Sequence, residues 1–465
     1  MNMNGMPKVG ELIEVDATGI DDRGQGLATL EAGADERALL VPGLFPGERA
    51  SVRIEALARH ALRAHGRVHE LLRASPSRRE PPCSRHEQHQ RAPGDRRPKP
   101  SCGGCPLMGL ELDAQREAKR AWILREYGLE LDGPDGIIGG IIGGAEFDYR
   151  WSSKRVVGGE PGRLRLGSRA AGKRRGDHIA DMRGCLVDHP RIRDGFDALE
   201  LLANELGIEP WGEAGGDLRY VWAKTNGTQL LLTLICGAES SRAARELGPR
   251  LHELGIADGV ACSVQSSSGN AIRGGAPQAI AGLAQLDLDA GLELGPLGFL
   301  QPNPEVAALA YRDLVALPNG QPPPPAELAF DLYAGAGVTS RLLRERFERV
   351  IPCESYPESA ARLGIEPQTV EDFARAWLDA ASPTPALVVA NPPRAGLGES
   401  VCASLRELAA PRVHLMSCSP QSLAADLDRL RPDYELVALR GYDTLPQTAH
   451  LELVAWLSRR PQSPA

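Results

Sequence analysis

The segment Ala329-Phe330-Asp331-Leu332-Tyr333-Ala334-Gly335-Ala336-Gly337-Val338-Thr339-Ser340 predicts a buried strand that passes through a glycine turn into a helix. Gly335 and Gly337 allow the backbone of the turn to approach a ligand closely. The spacing departs from the Gly-x-Gly-x-x-Gly pattern of dinucleotide-binding turns, because Ser340 stands at the third glycine position. The segment therefore indicates a ligand at the carboxyl end of a strand in an α/β domain.

Apolar strands alternate with helical stretches from residue 326 onward, which is typical of a doubly wound, Rossmann-like α/β domain. The predicted strands are Leu328–Leu332, Val350–Cys353, Leu387–Ala390, Val413–Met416 and Leu451–Leu457. Glu354 follows the second of these strands, where its carboxylate can accept hydrogen bonds from ribose hydroxyls. A glycine turn followed by such an acid is the pattern of S-adenosylmethionine-dependent enzymes.

The N-terminal part of the chain predicts a small β-barrel of OB-like shape. Short apolar or alternating runs are separated by Gly and Asp clusters, at Leu12–Val15, Gly26–Leu30, Ala38–Val41 and Ala50–Ile54. Residues 107–130 predict one helix, and residues 145–290 mix strands with helices. We therefore expect three parts, namely a barrel over 1–75, a central α+β domain over 76–285 and the Rossmann-like domain over 286–465.

The charge of the chain is unevenly distributed. The net charge over the 465 residues is −8, yet residues 51–100 hold twelve Lys and Arg against five Asp and Glu, and residues 151–193 hold eleven against four. A polyanion responds to the local potential and not to the sum over the whole chain. Two basic segments on an acidic background favour nucleic acid as a partner.

Four of the nine cysteines stand apart from the others. Cys102 and Cys105 form a Cys-Gly-Gly-Cys-Pro pair, Cys83 lies in the Pro- and Arg-rich loop before it, and Cys185 lies in Asp181-Met-Arg-Gly-Cys185. By count, four thiolates suit tetrahedral zinc and an iron–sulfur cluster equally well. The start of the chain has no apolar core of a signal peptide and no run of about 18 apolar residues occurs. The chain is therefore expected in the cytoplasm, where thiols stay reduced.

Reactive residue types follow two of the predicted C-terminal strands and precede the last one. Asn391-Pro-Pro-Arg-Ala-Gly follows a buried strand, Ser417-Cys-Ser-Pro follows the next, and Pro446-Gln-Thr-Ala-His-Leu-Glu leads into the last. In open α/β sheets, ligands bind at the carboxyl ends of the strands. Cys418 is therefore a candidate nucleophile in the cleft.

These motifs and Gly298-Phe-Leu-Gln-Pro-Asn follow one another along the chain in a characteristic order. By these motifs and their order, the chain resembles the RNA uracil-5-methyltransferases that carry an N-terminal TRAM domain and an iron–sulfur cluster. The resemblance covers nearly the whole chain, and the 23S ribosomal RNA enzymes look like the closest subgroup. It implies methylation of carbon 5 of a uridine in 23S rRNA, with S-adenosylmethionine and a [4Fe-4S] cluster as cofactors and no obligate protein partner.

The resemblance also implies a role for individual residues. Cys418 would be the nucleophile, Glu452 the general base, and the segment Tyr149-Arg150 would help to hold RNA. The expected cofactor-binding residues are Gln301, Tyr333, Gly335, Gly337, Glu354, Asp372 and Asn391, and the expected cluster ligands are Cys83, Cys102, Cys105 and Cys185. The family usually has Asp where this chain has Asn391, and the separation of Cys83 from Cys102 is longer than in the family.

Three alternatives remain open at this stage. The same reaction could act on tRNA. A non-catalytic iron–sulfur protein that binds RNA is disfavoured, because such a protein needs neither Cys418 nor Glu452. A cytosine-5-methyltransferase is disfavoured because its nucleophile usually follows a proline, whereas Ser417 precedes Cys418.

Overall fold

The computed structural model describes residues 7–32, 35–58, 62–90, 101–133, 140–170, 179–212, 215–267, 269–288 and 292–461. Within them the chain forms three large sheets, of six, seven and seven strands, and one two-stranded hairpin. Parts of the two basic segments, at 59–61, 91–100 and 171–178, lie outside the described residues. No helix in the described part combines the length and the apolar composition needed to cross a membrane.

The first sheet contains the strands predicted for the N-terminal part. Its strands are β1 (Leu12–Asp16), β2 (Gly19–Ile20), β3 (Gly26–Ala32), β4 (Asp35–Val41), β5 (Arg49–Leu57) and β6 (Arg63–Arg73), in the order β1-β5-β6-β4-β3-β2. Every neighbouring pair is antiparallel except β4 and β6. Alternate side chains of β5 are buried, as expected for a sheet with one face toward a core. The sequence did not predict β6, which is rich in Arg and His.

The next segment of the chain contains a helix that packs into the core of the third sheet and a strand that joins the edge of that sheet. It contains α1 (Glu87–Gln90), α2 (Leu112–Tyr127) and β7 (Ile141–Ile142). Ala118, Trp122 and Ile123 of α2 are buried in the same apolar cluster as the strands of the third sheet. Although the predicted boundaries assign this segment to the central part, the structure packs it against the C-terminal part.

The second sheet forms the middle of the molecule. Its strands are β8 (Ser152–Glu160), β9 (Arg163–Arg169), β10 (Ile179–Asp181), β11 (Leu218–Thr225), β12 (Leu230–Cys236), β13 (Gly259–Val264) and β14 (Gln278–Gly282), in the order β10-β9-β8-β11-β12-β13-β14. It packs against α3 (Pro190–Glu205) and α4 (Gly248–Glu253), the latter directly preceded by a π-helical turn at Ala243–Leu247. The strands β11 and β12 are buried at every position. β12 is apolar except for Thr233, whereas β11 buries Arg219 and Lys224 among its apolar residues. A hairpin of β15 (Leu286–Leu288) and β16 (Leu292–Leu294) follows.

The third sheet has the doubly wound arrangement that the glycine turn predicts. Its strands are β17 (Ala326–Leu332), β18 (Phe347–Cys353), β19 (Leu387–Ala390), β20 (Arg412–Ser417), β21 (Tyr434–Tyr442) and β22 (Glu452–Arg459), with β7 at the edge, in the order β18-β17-β19-β20-β22-β21-β7. The helices are α5 (Pro304–Val315), α6 (Val338–Leu343), α7 (Pro357–Leu363), α8 (Val370–Asp379), α9 (Gly398–Leu408) and α10 (Pro420–Leu430).

Strand direction in this sheet places the candidate residues at one edge. The strands β18, β17, β19 and β20 are mutually parallel, so their carboxyl ends meet at the same edge. Because β22 runs antiparallel to β20, its amino end lies at that edge too. Tyr333, Glu354, Asn391 and Cys418 each come directly after one of the parallel strands, and Glu452 is the first residue of β22.

Candidate active site

A cavity of about 310 Å³ opens at the carboxyl ends of β17, β18 and β19. Its volume lies at the lower end of the range for small-molecule sites, which is roughly 300–1,000 Å³. Two of the expected cofactor residues, Tyr333 and Glu354, line it. The other lining residues are Cys353, Ser355, Gln368, Thr369, Val370, Glu371, Pro393, Ala395, Gly396, Leu397 and Gly398.

The turn after β17 has a backbone that most residues avoid. Gly335 and Gly337 have φ angles of 56° and 80°, and Tyr333 has φ 62° although it is not a glycine. The two oxygens of Glu354 accept hydrogen bonds from the backbone N–H groups of Gly335 at 2.9 Å and Tyr356 at 2.6 Å. Each carboxylate oxygen keeps a second lone pair, so Glu354 can still accept a bond from a ligand hydroxyl.

The buried carboxyl of Asp331 also stabilises the turn after β17. Asp331 is 2% exposed and accepts hydrogen bonds from the Thr339 hydroxyl at 2.7 Å and the Ser340 hydroxyl at 2.5 Å. Burial raises the pKa of Asp331 to about 6, while these two hydroxyls work in the opposite direction. Ser340, which replaces the third glycine of the dinucleotide motif, therefore ties the start of α6 to the end of β17.

The structure does not bring Asp372 to the cavity. Thr369 caps α8 by accepting a hydrogen bond from the Asp372 N–H at 3.1 Å, and its hydroxyl donates to Asp372 Oδ2 at 2.8 Å. This reciprocal capping arrangement turns the carboxylate back on the helix end. Asp372 stays exposed, whereas the preceding residue, Glu371, lines the cavity. Of the two adjacent acids, Glu371 is the one that lines the cavity, and the cofactor role expected for Asp372 stays a prediction.

Gln301 and Asn391 lie at the same edge of the sheet but do not line this cavity. Gln301 is 8% exposed and its side chain hydrogen-bonds Tyr311, which also lies near Glu452 and Asp331. The N–H of Asn391 donates to the Leu332 carbonyl at 3.3 Å, so the residue sits between the ends of β17 and β19. Both residues therefore lie between the cavity and the end of β22.

Cys418 and Glu452 face each other across the paired strands β20 and β22. Ser417 pairs with Leu453, which places the next residue of one strand beside the preceding residue of the other. Arg394 of the Asn-Pro-Pro-Arg turn completes the group, because it lies within hydrogen-bonding reach of Cys418 and near Glu452. The site thus combines a thiol, a carboxyl and a guanidinium.

The surroundings shift the pKa of both acids upward. Burial raises the pKa of the Glu452 carboxyl, which is 8% exposed, to about 7, and Arg394 works in the opposite direction. Burial and the Glu452 carboxylate raise the pKa of the Cys418 thiol, whereas Arg394 lowers it. A carboxyl with a pKa near neutrality can both accept and release a proton at physiological pH.

Four cysteines line a second cavity, between the loop before α2 and the second sheet. They are Cys83, Cys102, Cys105 and Cys185, accompanied by apolar side chains and by Arg85, His86 and Arg150. His86 forms a parallel bridge with Cys102, and its N–H donates to the Cys83 carbonyl at 2.9 Å. The loop that carries Cys83 is therefore fastened to the Cys-Gly-Gly-Cys turn despite the long separation in sequence.

The four cysteines line one cavity, but they do not surround the position of a single metal ion. Among the described residues, no group of three or more His, Cys, Asp or Glu is close enough to hold one metal ion. Zinc would need each sulfur at about 2.3 Å, whereas the four irons and four sulfides of a cluster separate their ligands further. Burial raises the pKa of Cys105 and Cys185, the latter to about 11, and neighbouring negative groups add to both effects. The buried guanidinium of Arg150, whose Nε has no hydrogen-bond partner, offers a compensating positive charge.

Tyr149 is buried in the structure, whereas Arg150 is partly exposed. Tyr149 is 4% exposed and its hydroxyl donates to the Pro446 carbonyl at 2.9 Å. Arg150 lines the cysteine cavity. A role of this segment in holding RNA therefore stays a prediction.

Sequence reasoning assigned no role to Arg394, Glu371 or the side chains of α2. Arg394 lies within the motif Asn391-Pro-Pro-Arg-Ala-Gly. Its positive charge, close to two acidic groups, was the signal from which its role could have been predicted. Glu371 could not be separated from Asp372, because only the geometry of the helix cap decides which of two adjacent acids faces the cavity.

Comparisons with known proteins agree with this architecture. Residues 372–460 match the family described as tRNA (uracil-5-)-methyltransferase. Over 96% of its length the chain is 27% identical to an uncharacterized RNA methyltransferase of Halalkalibacterium halodurans, 97% of which is covered. Over 97% of its length it is 29% identical to another of Parasynechococcus marenigrum, again with 97% covered.

Among solved structures, the chain is similar to the tRNA (uracil-54, C5)-methyltransferase of Pyrococcus abyssi in complex with S-adenosyl-L-homocysteine. The TM-score is 0.70 at 20% identity, with 96% of this chain and all of that chain covered. This similarity confirms the α/β fold of an S-adenosylmethionine-dependent methyltransferase. Together with the family match and the relatives, it confirms the prediction of an RNA methyltransferase enzyme.

Proposed function

We propose that this chain methylates carbon 5 of a uridine in RNA, with Cys418 as nucleophile and Glu452 as general base. The observation that carries the proposal is the juxtaposition of Cys418, Arg394 and Glu452 at the strand edge that also bears the cofactor cavity. A nucleophile, a base with a pKa near 7 and a ligand cavity at one edge are what this reaction requires.

The chemistry balances with these groups. Carbon 5 of uracil is a poor nucleophile until the Cys418 thiolate bonds to carbon 6, which moves the π electrons of the C5–C6 bond into an enolate. When bound, S-adenosylmethionine would supply the methyl group to which carbon 5 bonds, and its sulfur–methyl bond would break to leave S-adenosylhomocysteine. Glu452 then takes the proton from carbon 5, the C5–C6 double bond re-forms, and the C6–S bond breaks to return the thiolate.

Arg394 serves both acids in this scheme. Its guanidinium favours the thiolate form of Cys418, which must be ionised to attack. The same charge limits the rise in the pKa of Glu452, so the carboxyl stays able to accept a proton near pH 7. In the proposal, Tyr333, Glu354 and Glu371 hold the cofactor, with Gln301 and Asn391 between it and the uracil.

The surface beside the cofactor cavity has the character of an RNA-binding face. The Lys154 ammonium covers the buried Trp222 ring at 3.9 Å from its centre, and the Arg273 guanidinium lies 4.8 Å from the centre of the Tyr356 ring, so two cations lie on this surface. Phe299, two residues before Gln301, is 59% exposed. Cations that bind phosphates, interleaved with aromatic rings that stack on bases, are typical of single-stranded RNA sites. A target uridine has to leave its stack to reach Cys418.

The remaining proposals follow the sequence resemblance. Cys83, Cys102, Cys105 and Cys185 hold a [4Fe-4S] cluster, and residues 1–75 form a TRAM barrel that binds RNA. The proposed target is 23S rRNA. The tRNA reaction is a second candidate, favoured by the similarity to the Pyrococcus abyssi enzyme, whose name specifies uracil-54 of tRNA. The site of action would be the cytoplasm.

The test is methyl transfer from labelled S-adenosylmethionine to unmodified 23S rRNA and to unmodified tRNA, with Cys418→Ala in parallel. We expect 5-methyluridine in rRNA and none with the variant. Incorporation into tRNA alone would keep the mechanism and overturn the proposed substrate. Incorporation into neither, by protein that binds the cofactor, would favour the non-catalytic RNA-binding alternative.

A further inference from the structure

The loop of residues 443–451, which leads from β21 to Glu452, is held at both ends by one buried ammonium. Lys119 Nζ donates to Asp443 Oδ1 at 2.5 Å, to the Leu445 carbonyl at 3.3 Å and to the His450 carbonyl at 3.1 Å. Neither Lys119 nor Asp443 is exposed to solvent. An ammonium has three protons to donate, so the three acceptors satisfy it completely.

The middle of the loop is held by a second side chain of α2. Gln115 Nε2 donates to Gln447 Oε1 at 2.9 Å, and the Gln447 N–H donates back to Gln115 Oε1 at 2.8 Å. Gln447 is fully buried and has φ 71°, a left-handed conformation that a residue other than glycine rarely adopts. Such a conformation persists in a residue other than glycine only where the surroundings impose it.

The loop matters because strand pairing fixes Glu452 from one side only. Glu452 pairs with Tyr442, the residue that directly precedes Asp443, so the loop begins and ends next to this pair. No strand directly precedes Glu452, because the 443–451 loop lies on its amino side. The position of the carboxylate there depends on the path of the loop, whose carbonyl at His450 lies two residues away.

We propose that Gln115 and Lys119 are positioning residues for the Glu452 carboxylate, acting through the 443–451 loop and not through contact with the substrate. This inference rests on the proposed function, because it assigns to α2 the task of placing the base that removes the carbon 5 proton. Loss of either side chain should slow proton removal while leaving thiolate addition intact, since Cys418 is held by β20.

Thiolate addition and proton removal can be measured separately. In a single turnover with the RNA that the wild-type enzyme methylates, a denaturing gel reports the covalent protein–RNA adduct and nucleoside analysis reports released 5-methyluridine. For Gln115→Ala and Lys119→Met we expect adduct to form at the wild-type rate and product to be released about 100-fold more slowly. Adduct should therefore accumulate.

Glu117→Ala is the matched control, because Glu117 lies on the same helix, is exposed and pairs only with Arg120 at 3.3 Å in the described structure. It should release product like the wild type. If Lys119→Met leaves the Asp443 carboxylate buried and prevents folding, Lys119→Met combined with Asp443→Leu removes both charges. Release at the wild-type rate by Gln115→Ala or by this double variant overturns the inference.

Failure of the proposed function would look different. In that case the wild-type protein itself would give neither adduct nor 5-methyluridine, whereas failure of the positioning inference leaves wild-type turnover intact. A uniform loss of adduct and product in Gln115→Ala, with unchanged thermal unfolding, would also overturn the inference, because it would place Gln115 before the addition step.

Discussion

The Glu452 carboxyl is the side chain whose ionisation should set the pH dependence of turnover. Its pKa is raised to about 7 by burial, and only the ionised form can accept the carbon 5 proton. We expect the rate of 5-methyluridine release to rise with pH around a midpoint near 7 in single-turnover assays. Glu452→Gln should form adduct without releasing product at any pH, and a variant that still turned over would remove Glu452 from the role of base.

The same carboxyl should destabilise the folded enzyme at alkaline pH. Because the pKa of Glu452 is higher in the folded than in the unfolded chain, the unfolded state ionises first, and stability is lost as pH rises through the interval between the two values. Glu452→Gln should therefore unfold at a higher temperature than the wild type at pH 8, with most of the gain absent at pH 5. Equal gains at both pH values would show that the effect is unrelated to ionisation.

Arg394 should control how readily the Cys418 thiol ionises. A cation beside a thiol commonly lowers its pKa by about 1–3 units, and the thiol of Cys418 is otherwise held in its neutral form by burial. Arg394→Met should move the pH at which adduct forms at half its maximal rate upward by about one unit or more. Arg349→Met, which removes a guanidinium from the far side of the sheet near Trp377, is the control and should leave that pH unchanged.

At the scale of the turn between β17 and α6, Gly337 is the position least able to accept a side chain. Its φ is 80°, and a Cβ there would lie 2.6 Å from Leu363 Cδ2. Gly337→Ala should weaken S-adenosylmethionine binding, measured by calorimetry, because a side chain at this φ strains the turn and displaces the end of the Leu363 side chain. Gly364→Ala has a similar φ of 68° with no atom within 4 Å, and it should cost only about 1–2 kcal/mol of stability without loss of affinity.

The strands of the third sheet could be predicted from sequence because their apolar runs are bounded by glycine, proline and polar turns. The prediction found β17, β18, β19, β20 and β22, and with them the edge on which Cys418 and Glu452 meet. It missed β21, whose alternation is interrupted by the register shift between Leu436 and Ala438. It also did not show which of the adjacent acids Glu371 and Asp372 faces the cavity, because the cap of α8 decides which carboxylate is held at the helix end.

At the scale of the whole molecule, chain order and packing do not coincide. The predicted boundaries assume that consecutive residues share a core, yet α2 and β7 leave the central part to pack against the third sheet. The contacts of Gln115 and Lys119 with residues more than 300 positions away have no local signature in the sequence. A side chain whose role depends on such a partner can be found only in the folded structure.

The cysteine cavity joins segments that are distant in sequence, so its occupant should stabilise the molecule as a whole. Cys83 and Cys105 come from the loop before α2 and Cys185 from the second sheet, and a cross-link between distant segments removes freedom mainly from the unfolded chain. Cys185→Ser should lose iron and visible absorption and should unfold at a lower temperature, whereas Cys262→Ser, away from the cavity, should retain both. Iron retained in full by Cys185→Ser would exclude that cysteine as a ligand.

Because the Leu107 N–H, two residues after Cys105, donates to the Gln447 carbonyl at 3.0 Å, iron loss should also slow product release more than adduct formation.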